Sequence, residues 1–150
     1  MKGASVLISH AIYLLLTIIV LGSLIAYAMS ARNDMNEQTV DAQLSVIAES
    51  IKGDVVKMSL LSKESEYPYD STVSIAKFDL NFPKAIGGRD YTVTLSENLI
   101  TLDSTTSEGA AVKVMKDVNV NVSMEGSAKM PAYLELVRTA SGDKIMVDER

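Results

Sequence analysis

The chain has 150 residues, which is enough for one modest domain, and it carries a formal net charge of −5 and no cysteine. The absence of cysteine excludes disulfides, thiolate metal sites and a cysteine nucleophile. The sequence is acidic, has few aromatic residues and contains no basic cluster, which argues against nucleic acid as a partner.

The first element is a long apolar stretch. From Ala4 to Ala31 there is no Asp, Glu, Lys or Arg. About 20 such residues in a helix cross the hydrocarbon core of a bilayer, so this stretch is long enough to span a membrane once. His10 lies within it, and packing or an interfacial position explains His10 better than a ligand or proton-relay role. Lys2 favours a cytoplasmic N-terminus, with the rest of the chain outside.

Three interpretations of this stretch are open. Ala26-Tyr27-Ala28 resembles the cleavage site of a secretory signal peptide, which would place the mature N-terminus near Met29. The apolar core is, however, longer than the 7–15 residues of a typical signal peptide. A permanent membrane anchor is the second interpretation. A helix that is retained and assembles with other helices is the third.

An amphipathic helical extension is predicted over residues 32–62. No proline interrupts it, and its apolar residues are separated by three or four positions, as on one face of a helix. These residues are Val40, Leu44, Ile47, Ile51, Val55, Met58 and Leu61 or Leu60.

Residues 63–150 are predicted to form an antiparallel β-domain of five to seven short strands. Residues 63–69 read as a polar linker, and a bulge is expected at Ala76-Lys77. Turns are expected at Gly87-Gly88, at Glu97-Asn98 and within residues 139–143. The clearest alternation of apolar and polar residues runs over 112–124. The predicted fold class is therefore α+β, with a long N-terminal helix packed on a small antiparallel sheet or sandwich.

Lys2-Gly3, the apolar stretch, the amphipathic extension and the β-domain together resemble the type IV pilin class. The chain is most similar to archaeal pilin-like proteins and, more distantly, to archaellins. The resemblance implies a short leader of residues 1–3 (a class III signal peptide) that a prepilin peptidase removes between Gly3 and Ala4. It also implies that residues 4–31 are retained as an assembly helix. Ile8 occupies the fifth mature position, where many bacterial pilins carry glutamate.

Small residues repeat every four positions at Gly22, Ala26 and Ser30. In an apolar medium such a stripe lets another helix approach closely, so these three residues are candidates for helix packing. The same pattern is also common in membrane helices that have no partner.

The sequence offers no catalytic or metal-binding constellation. Residues 32–150 contain no histidine, which removes Ser-His-Asp and histidine-metal arrangements, and there is no phosphate-binding glycine loop or EF-hand spacing. We therefore expect a protein that is not an enzyme and has no cofactor. One modification motif is present: Asn121-Val122-Ser123 is an N-glycosylation acceptor sequence, and the alternation predicts that Asn121 faces outward from a strand.

These features together favour a structural subunit, major or minor, of an archaeal type IV pilus-like surface filament. Its expected partners are copies of itself or related pilin subunits, the cytoplasmic membrane before assembly, a prepilin peptidase and the pilus assembly machinery. The C-terminal domain would lie outside the cell. The alternative is a bitopic envelope protein that does not polymerise, with a stator-like or surface-layer-binding β-domain. A secreted enzyme or ligand-binding domain has the least support.

Overall fold

The structure, a computed structural model, describes residues 2–69, 72–105 and 111–150. It contains one helix, α1, over Lys2–Glu64, followed by eight strands in the described residues. The strands are β1 (Val73–Leu80), β2 (Ala85–Ile86), β3 (Arg89–Ser96), β4 (Leu99–Thr105), β5 (Ala111–Asp117), β6 (Ser123–Lys129), β7 (Ala132–Thr139) and β8 (Gly142–Glu149). This architecture confirms the predicted α+β class, with the helix packed on a mostly antiparallel sheet.

The chain divides into two compact units, and α1 contributes to both. Unit 1 comprises residues 1–38 and unit 2 comprises residues 39–150. In unit 1, every side chain from Ile8 to Ser30 is exposed. We call residues 8–30 the apolar segment. In unit 2, one face of α1 is buried against the sheet, as its apolar spacing predicts.

Seven strands form the sheet in the order β1-β7-β8-β6-β3-β4-β5, and β2 pairs with the start of β3. All pairs are antiparallel except β6 with β8, which run parallel, so the sheet is mostly antiparallel with one parallel pair. The reason is the tight hairpin between β7 and β8. The chain reverses between β6 and β7, and β8 then returns between them, which makes it parallel to β6.

Gly126 in β6 is required at this parallel pair. Its φ is +116°, a value that L side chains rarely adopt, and a Cβ there would lie 2.6 Å from the carbonyl oxygen of Val147 in β8. The close approach of the two backbones therefore depends on the absence of a side chain.

The core of unit 2 lies between α1 and one face of the sheet. The helix contributes Val40, Leu44, Ile47, Ala48, Ile51, Val55 and Met58. The strands contribute buried residues at alternate positions, among them Tyr91, Val93, Leu95, Ile100, Leu102, Leu134, Leu136, Ile145 and Val147. The predicted stripe is confirmed up to Met58. Leu60 and Leu61 are exposed instead, at 53% and 38%, because the last turn of α1 buries Ser62 in a polar cluster.

The strand boundaries correct two predictions. The alternation over residues 112–124 is divided between β5 and β6, and residues 118–122 between them lie outside the strands. Val118 and Val122 are buried there, which explains why the pattern reads as one strand. Partly because of this division, the described residues contain eight strands, whereas five to seven were predicted. The bulge in β1 lies between Ser74 and Ala76, slightly earlier than predicted. The predicted turns at 87–88 and 97–98 are confirmed.

Candidate functional site

The apolar segment presents a continuous apolar surface. Within the described residues it exposes fourteen large apolar side chains, including Leu24 at 65% and Ile18 at 62%. By length and composition, α1 is apolar enough to cross a membrane. These observations make the apolar segment the candidate functional site, since soluble proteins rarely leave so large an apolar surface in water.

Two hydroxyl groups in this segment are already satisfied by the helix itself. The hydroxyl of Thr17 donates to the carbonyl oxygen of Tyr13 at 2.8 Å, and the hydroxyl of Ser23 donates to that of Ile19 at 2.8 Å. Such bonds to the preceding turn remove the need for water at these positions. Thr17 and Ser23 are therefore compatible with lipid or with a bundle of helices.

The three predicted helix-packing residues lie on this exposed surface. Gly22, Ala26 and Ser30 are all exposed, and a Cβ added at Gly22 would meet nothing within 4 Å. The stripe is thus open for a second helix. Gly3 and Ala4, which flank the predicted peptidase cut, are both within α1.

Unit 2 contains a buried polar cluster that the sequence analysis missed. It consists of Arg138 and Asp143 on the β7–β8 hairpin, Ser62 at the end of α1, and the following residues Ser65, Tyr67 and Tyr69. We call this set the Arg138 cluster. The Arg138 and Asp143 side chains are only 2% and 6% exposed. Burial of a charged pair is tolerated when its hydrogen bonds are complete, so the partners decide its role.

Every N–H group of the Arg138 guanidinium has an acceptor. Nε and Nη2 donate to the two carboxylate oxygens of Asp143, each at 2.8 Å, which forms a bidentate pair. Nη2 also donates to the carbonyl oxygen of Ser62 at 2.8 Å. Nη1 donates to the carbonyl oxygens of Ser65 at 2.9 Å and Tyr67 at 2.6 Å. The guanidinium carbon lies 4.2 Å from the centre of the Tyr69 ring.

The electrostatics of the cluster follow from these contacts. The hydrogen bonds from Arg138 hold the pKa of Asp143 below its ordinary value, against the opposing effect of burial, and the Ser62 hydroxyl donates to the same carboxylate. The same pairing raises the pKa of Arg138. Since each guanidinium donor has an acceptor in the hairpin, at the end of α1 or in residues 65–67, the cluster holds the end of α1 and residues 65–69 on the hairpin.

A signal for this cluster was present in the sequence. Arg138 continues the inward period of Leu134 and Leu136 along β7, so a charged side chain occupies a core position. Asp143 is its cross-strand partner across the two-residue turn. An inward arginine with an acid five residues later predicts a buried ion pair.

The structure moves Asn121 out of the strand in which the sequence placed it. Asn121 lies in the 118–122 connection between β5 and β6, where its side chain is exposed. Its exposure agrees with the prediction, whereas its position in a strand was wrong. Ser123, the third residue of the acceptor sequence, begins β6 and is also exposed.

Unit 2 also has a shallow apolar groove of about 460 Å³. Its lining residues are Ala42, Gln43, Val46 and Ile47 of α1 together with Pro83, Ala85, Ile86 and Gly87, and Gln43 is the most polar side chain among them. Within the described residues, no group of three or more His, Cys, Asp or Glu side chains is placed to hold a metal ion. Comparisons with protein-family models, with curated proteins and with solved structures find no match to this chain.

Proposed function

We propose that this chain is a structural subunit of an archaeal type IV pilus-like surface filament, assembled through the apolar segment. One observation carries the proposal. Over residues 8–30, α1 is apolar and exposed on every side. From Val40 onward only one face of α1 is apolar, and that face is buried on the sheet. The first part suits an apolar surrounding, and the second part suits a folded domain in water.

The energetic argument concerns what covers the apolar segment. Burying the exposed part of one large apolar side chain is worth about 1–2 kcal/mol, so the fourteen together represent on the order of 15–25 kcal/mol. Lipid and a bundle of apolar helices both provide this burial. Transfer from one to the other is nearly neutral, so an assembly machine could extract the helix from the membrane into a filament at modest cost. The small residues Gly22, Ala26 and Ser30 favour close helix contacts in that bundle.

In this proposal the subunit is stored as a single membrane span with a cytoplasmic N-terminus, because Lys2 is the one basic residue before the span. A prepilin peptidase cuts between Gly3 and Ala4. Unit 2 lies outside the cell and forms the outer part of the filament.

The first experiment measures the N-terminal mass of the protein purified from the membranes and surface filaments of an archaeal host. A chain that begins at Ala4 supports the proposal. An intact Met1 indicates a permanent anchor, and a start near Met29 indicates secretion. Either of these two results contradicts the proposed processing.

The second experiment tests assembly. Gly22→Leu with Ala26→Leu keeps the segment apolar and therefore membrane-inserted, but it removes the close approach of helices. We expect filaments in negative-stain images to be lost, while membrane-bound subunit remains. Leu21→Ile with Ile25→Leu is the matched control, since it conserves volume on the same helix and should leave filaments unchanged. Wild-type protein that is processed but stays monomeric during assembly would contradict the proposal.

A further inference from the structure

We propose that the two edges of the sheet in unit 2 bind each other in neighbouring copies of the chain, so that β5 of one copy pairs antiparallel with β1 of the next. These two strands end the order β1-β7-β8-β6-β3-β4-β5. Within the described residues, β1 pairs only with β7, and β5 pairs only with β4. Each edge strand therefore has one row of backbone N–H and C=O groups to which another strand can bind.

The two edge strands carry the same alternation of apolar and charged side chains. On the side of the sheet that faces α1, β1 has Phe78 and Leu80. On the same side, β5 has Val112 and Val114. Phe78 and Val112 are only partly buried, although both pack against the core of unit 2. A strand paired to either edge would therefore cover apolar surface that the single copy leaves in contact with water.

One antiparallel register joins five residues of each edge and places no like charges opposite each other. The facing pairs in this register are Leu80 with Val112, Asp79 with Lys113, Phe78 with Val114, Lys77 with Met115 and Ala76 with Lys116. The first and third pairs are apolar and lie on the side of α1, while the second pair brings opposite charges together on the other side. Apolar and opposite-charge cross-strand pairs both stabilise a sheet.

Other features of the edges favour this register. The bulge of β1 lies between Ser74 and Ala76, just outside the five pairs, so the paired part of β1 is regular. A shift by two residues in one direction would place Lys113 opposite Lys77, and a shift in the other direction would leave only four facing pairs within the strands. In its own chain, Asp79 lies 3.9 Å from Arg150, but both side chains are largely exposed, so this contact is weak.

The strand directions give the contact a head-to-tail geometry. Five antiparallel pairs and one parallel pair separate β1 from β5, so these two strands run in opposite directions. A second copy placed beside the first in the same orientation therefore presents its β1 antiparallel to β5. Pairing of β5 with β5 of a second copy would reverse one of the two copies. Copies that span one membrane in the same sense share one orientation, and this step rests on the proposed function. Because every copy has both edges, the contact can repeat along an open row.

Disulfide cross-linking tests the contact, because the chain has no cysteine of its own. Asp79→Cys with Lys113→Cys places one thiol on each edge of the full chain. Within one copy the two edges are six strand spacings apart, on the order of 29 Å, so these thiols cannot reach each other. Oxidation of isolated membranes from an archaeal host should therefore join separate copies. Non-reducing gels should show a ladder of dimers, trimers and larger species.

Lys113→Cys with Ser127→Cys is the matched control. Ser127 is also exposed, but it lies on the central strand β6, so this variant should give no ladder. Asp79→Cys alone and Lys113→Cys alone should give no ladder either, and the two expressed together should give a dimer that stops at two copies. Lys77→Cys with Met115→Cys tests a second facing pair and should form a ladder when the strands are antiparallel in the proposed register.

Charge reversal tests the opposite-charge pair. In the chain that carries Lys77→Cys and Met115→Cys, Lys113→Glu places a second carboxylate opposite Asp79. The cross-linked fraction should then fall about two- to fivefold. Adding Asp79→Lys restores opposite charges and should restore the fraction, which it would not do if Lys113→Glu had only disturbed the fold. Circular dichroism of each variant checks that unit 2 is folded.

The N-terminal mass separates failure of this inference from failure of the proposed function. A folded double variant that begins at Ala4, stays in the membrane and forms no ladder would overturn the edge contact and leave the proposed function standing. A ladder from chains with an intact Met1 would support the edge contact and contradict the proposed processing. A ladder of equal yield in the Ser127 control would overturn the edge contact, because cross-linking would then not depend on the two edges. Single variants that dimerise as readily as the double variant would overturn it too, since identical edges would then meet.

Discussion

The two parts of α1 share one backbone conformation and differ in what surrounds their side chains. In the apolar segment, leucine, isoleucine and valine occupy all sides of the helix and are exposed. In unit 2, apolar residues at spacings of three and four are buried on the sheet, while the rest of the helix is largely polar. A helix that is apolar on all sides needs an apolar environment, whereas a helix with one apolar face needs only one surface packed against that face.

Because the surroundings differ, we expect the same residue type to contribute to different equilibria along one helix. A leucine in unit 2 stabilises the fold of unit 2. Under the proposed function, we expect a leucine in the apolar segment to stabilise insertion or assembly and to contribute nothing to the folding of unit 2. Paired substitutions on the two parts of α1 test this separation.

The largest effect is expected from charges in the apolar segment. Ile18→Arg with Ile19→Arg should oppose membrane insertion by about 5–7 kcal/mol, because each arginine near the middle of a span costs about 3 kcal/mol. The measurement is the fraction of protein that resists extraction from membranes by alkaline carbonate. Met115→Arg, at an exposed apolar position of unit 2, is the control and should leave this fraction unchanged. Equal losses for both variants would contradict the separation of roles.

A leucine pair compares the two parts directly. Leu44→Ala removes a fully buried side chain and should lower the free energy of unfolding of unit 2 by about 2–5 kcal/mol. Leu24→Ala removes the same atoms from an exposed position and should change it by less than about 0.5 kcal/mol. Denaturant unfolding of the full chain in detergent micelles, followed by tyrosine circular dichroism, measures both. A comparable loss for Leu24→Ala would show that the apolar segment contributes to the fold of unit 2.

Much of this architecture was predictable because it depends on periodicity. The charge-free stretch and the buried stripe from Val40 to Met58 follow from local patterns, and so do the turns at residues 87–88 and 97–98. The parallel pairing of β6 with β8 was not predictable in this way. It depends on which strand lies beside β6, and this is decided by contacts between residues that are far apart in the sequence.

In the candidate site, too, local features were predictable and long-range contacts were not. The shared helix face of Gly22 and Ala26 was predictable because it depends only on the period of the helix. The Arg138 cluster was missed because its acceptors are backbone carbonyls of Ser62, Ser65 and Tyr67, which any residue type could supply. The sequence identifies Arg138 and Asp143, but not the backbone carbonyl groups that accept the remaining hydrogen bonds of the guanidinium.

Low pH should affect unit 2 and not the apolar segment, since the buried ion pair of Arg138 and Asp143 lies in unit 2 and the apolar segment has no carboxylate. The pKa of Asp143 is lowered in the folded state, so its contribution to stability is fully present above the ordinary carboxyl pKa, about 4, and is lost as the pH falls through the lower folded value. At pH 7, Asp143→Asn should lower the Tm of unit 2 by about 5 °C.

The difference in Tm between wild type and Asp143→Asn should shrink as the pH falls below about 4, because the unfolded wild-type chain then takes up a proton on Asp143 while the folded chain, whose Asp143 pKa is lowered, still keeps the carboxylate ionised. Asp54→Asn is the control. Asp54 forms an exposed ion pair with Lys57 on the same helix, and its loss should matter little at any pH. A gap between wild type and Asp143→Asn that stays constant down to pH 2 would contradict the role assigned to the ionised carboxylate.

The smallest effect concerns Tyr91, whose ring is buried in unit 2 and whose hydroxyl donates to the carbonyl oxygen of Pro83 at 2.9 Å. Burial raises the pKa of Tyr91 to about 12 from 10.0. Between these values the unfolded chain releases the proton and the folded chain keeps it, so the stability of unit 2 should fall as the pH rises through this range. Tyr91→Phe should lower the free energy of unfolding of unit 2 by about 0.5–1.5 kcal/mol at neutral pH, because the hydrogen bond to Pro83 is lost. It should also weaken the fall in stability at alkaline pH, which denaturant unfolding at neutral and alkaline pH measures.

Tyr27→Phe is the control. Tyr27 in the apolar segment is exposed, so this substitution should leave the free energy of unfolding of unit 2 unchanged at neutral and at alkaline pH. If the stability of unit 2 falls equally at alkaline pH in wild type and in Tyr91→Phe, other groups of unit 2 cause the fall and the role assigned to Tyr91 is wrong.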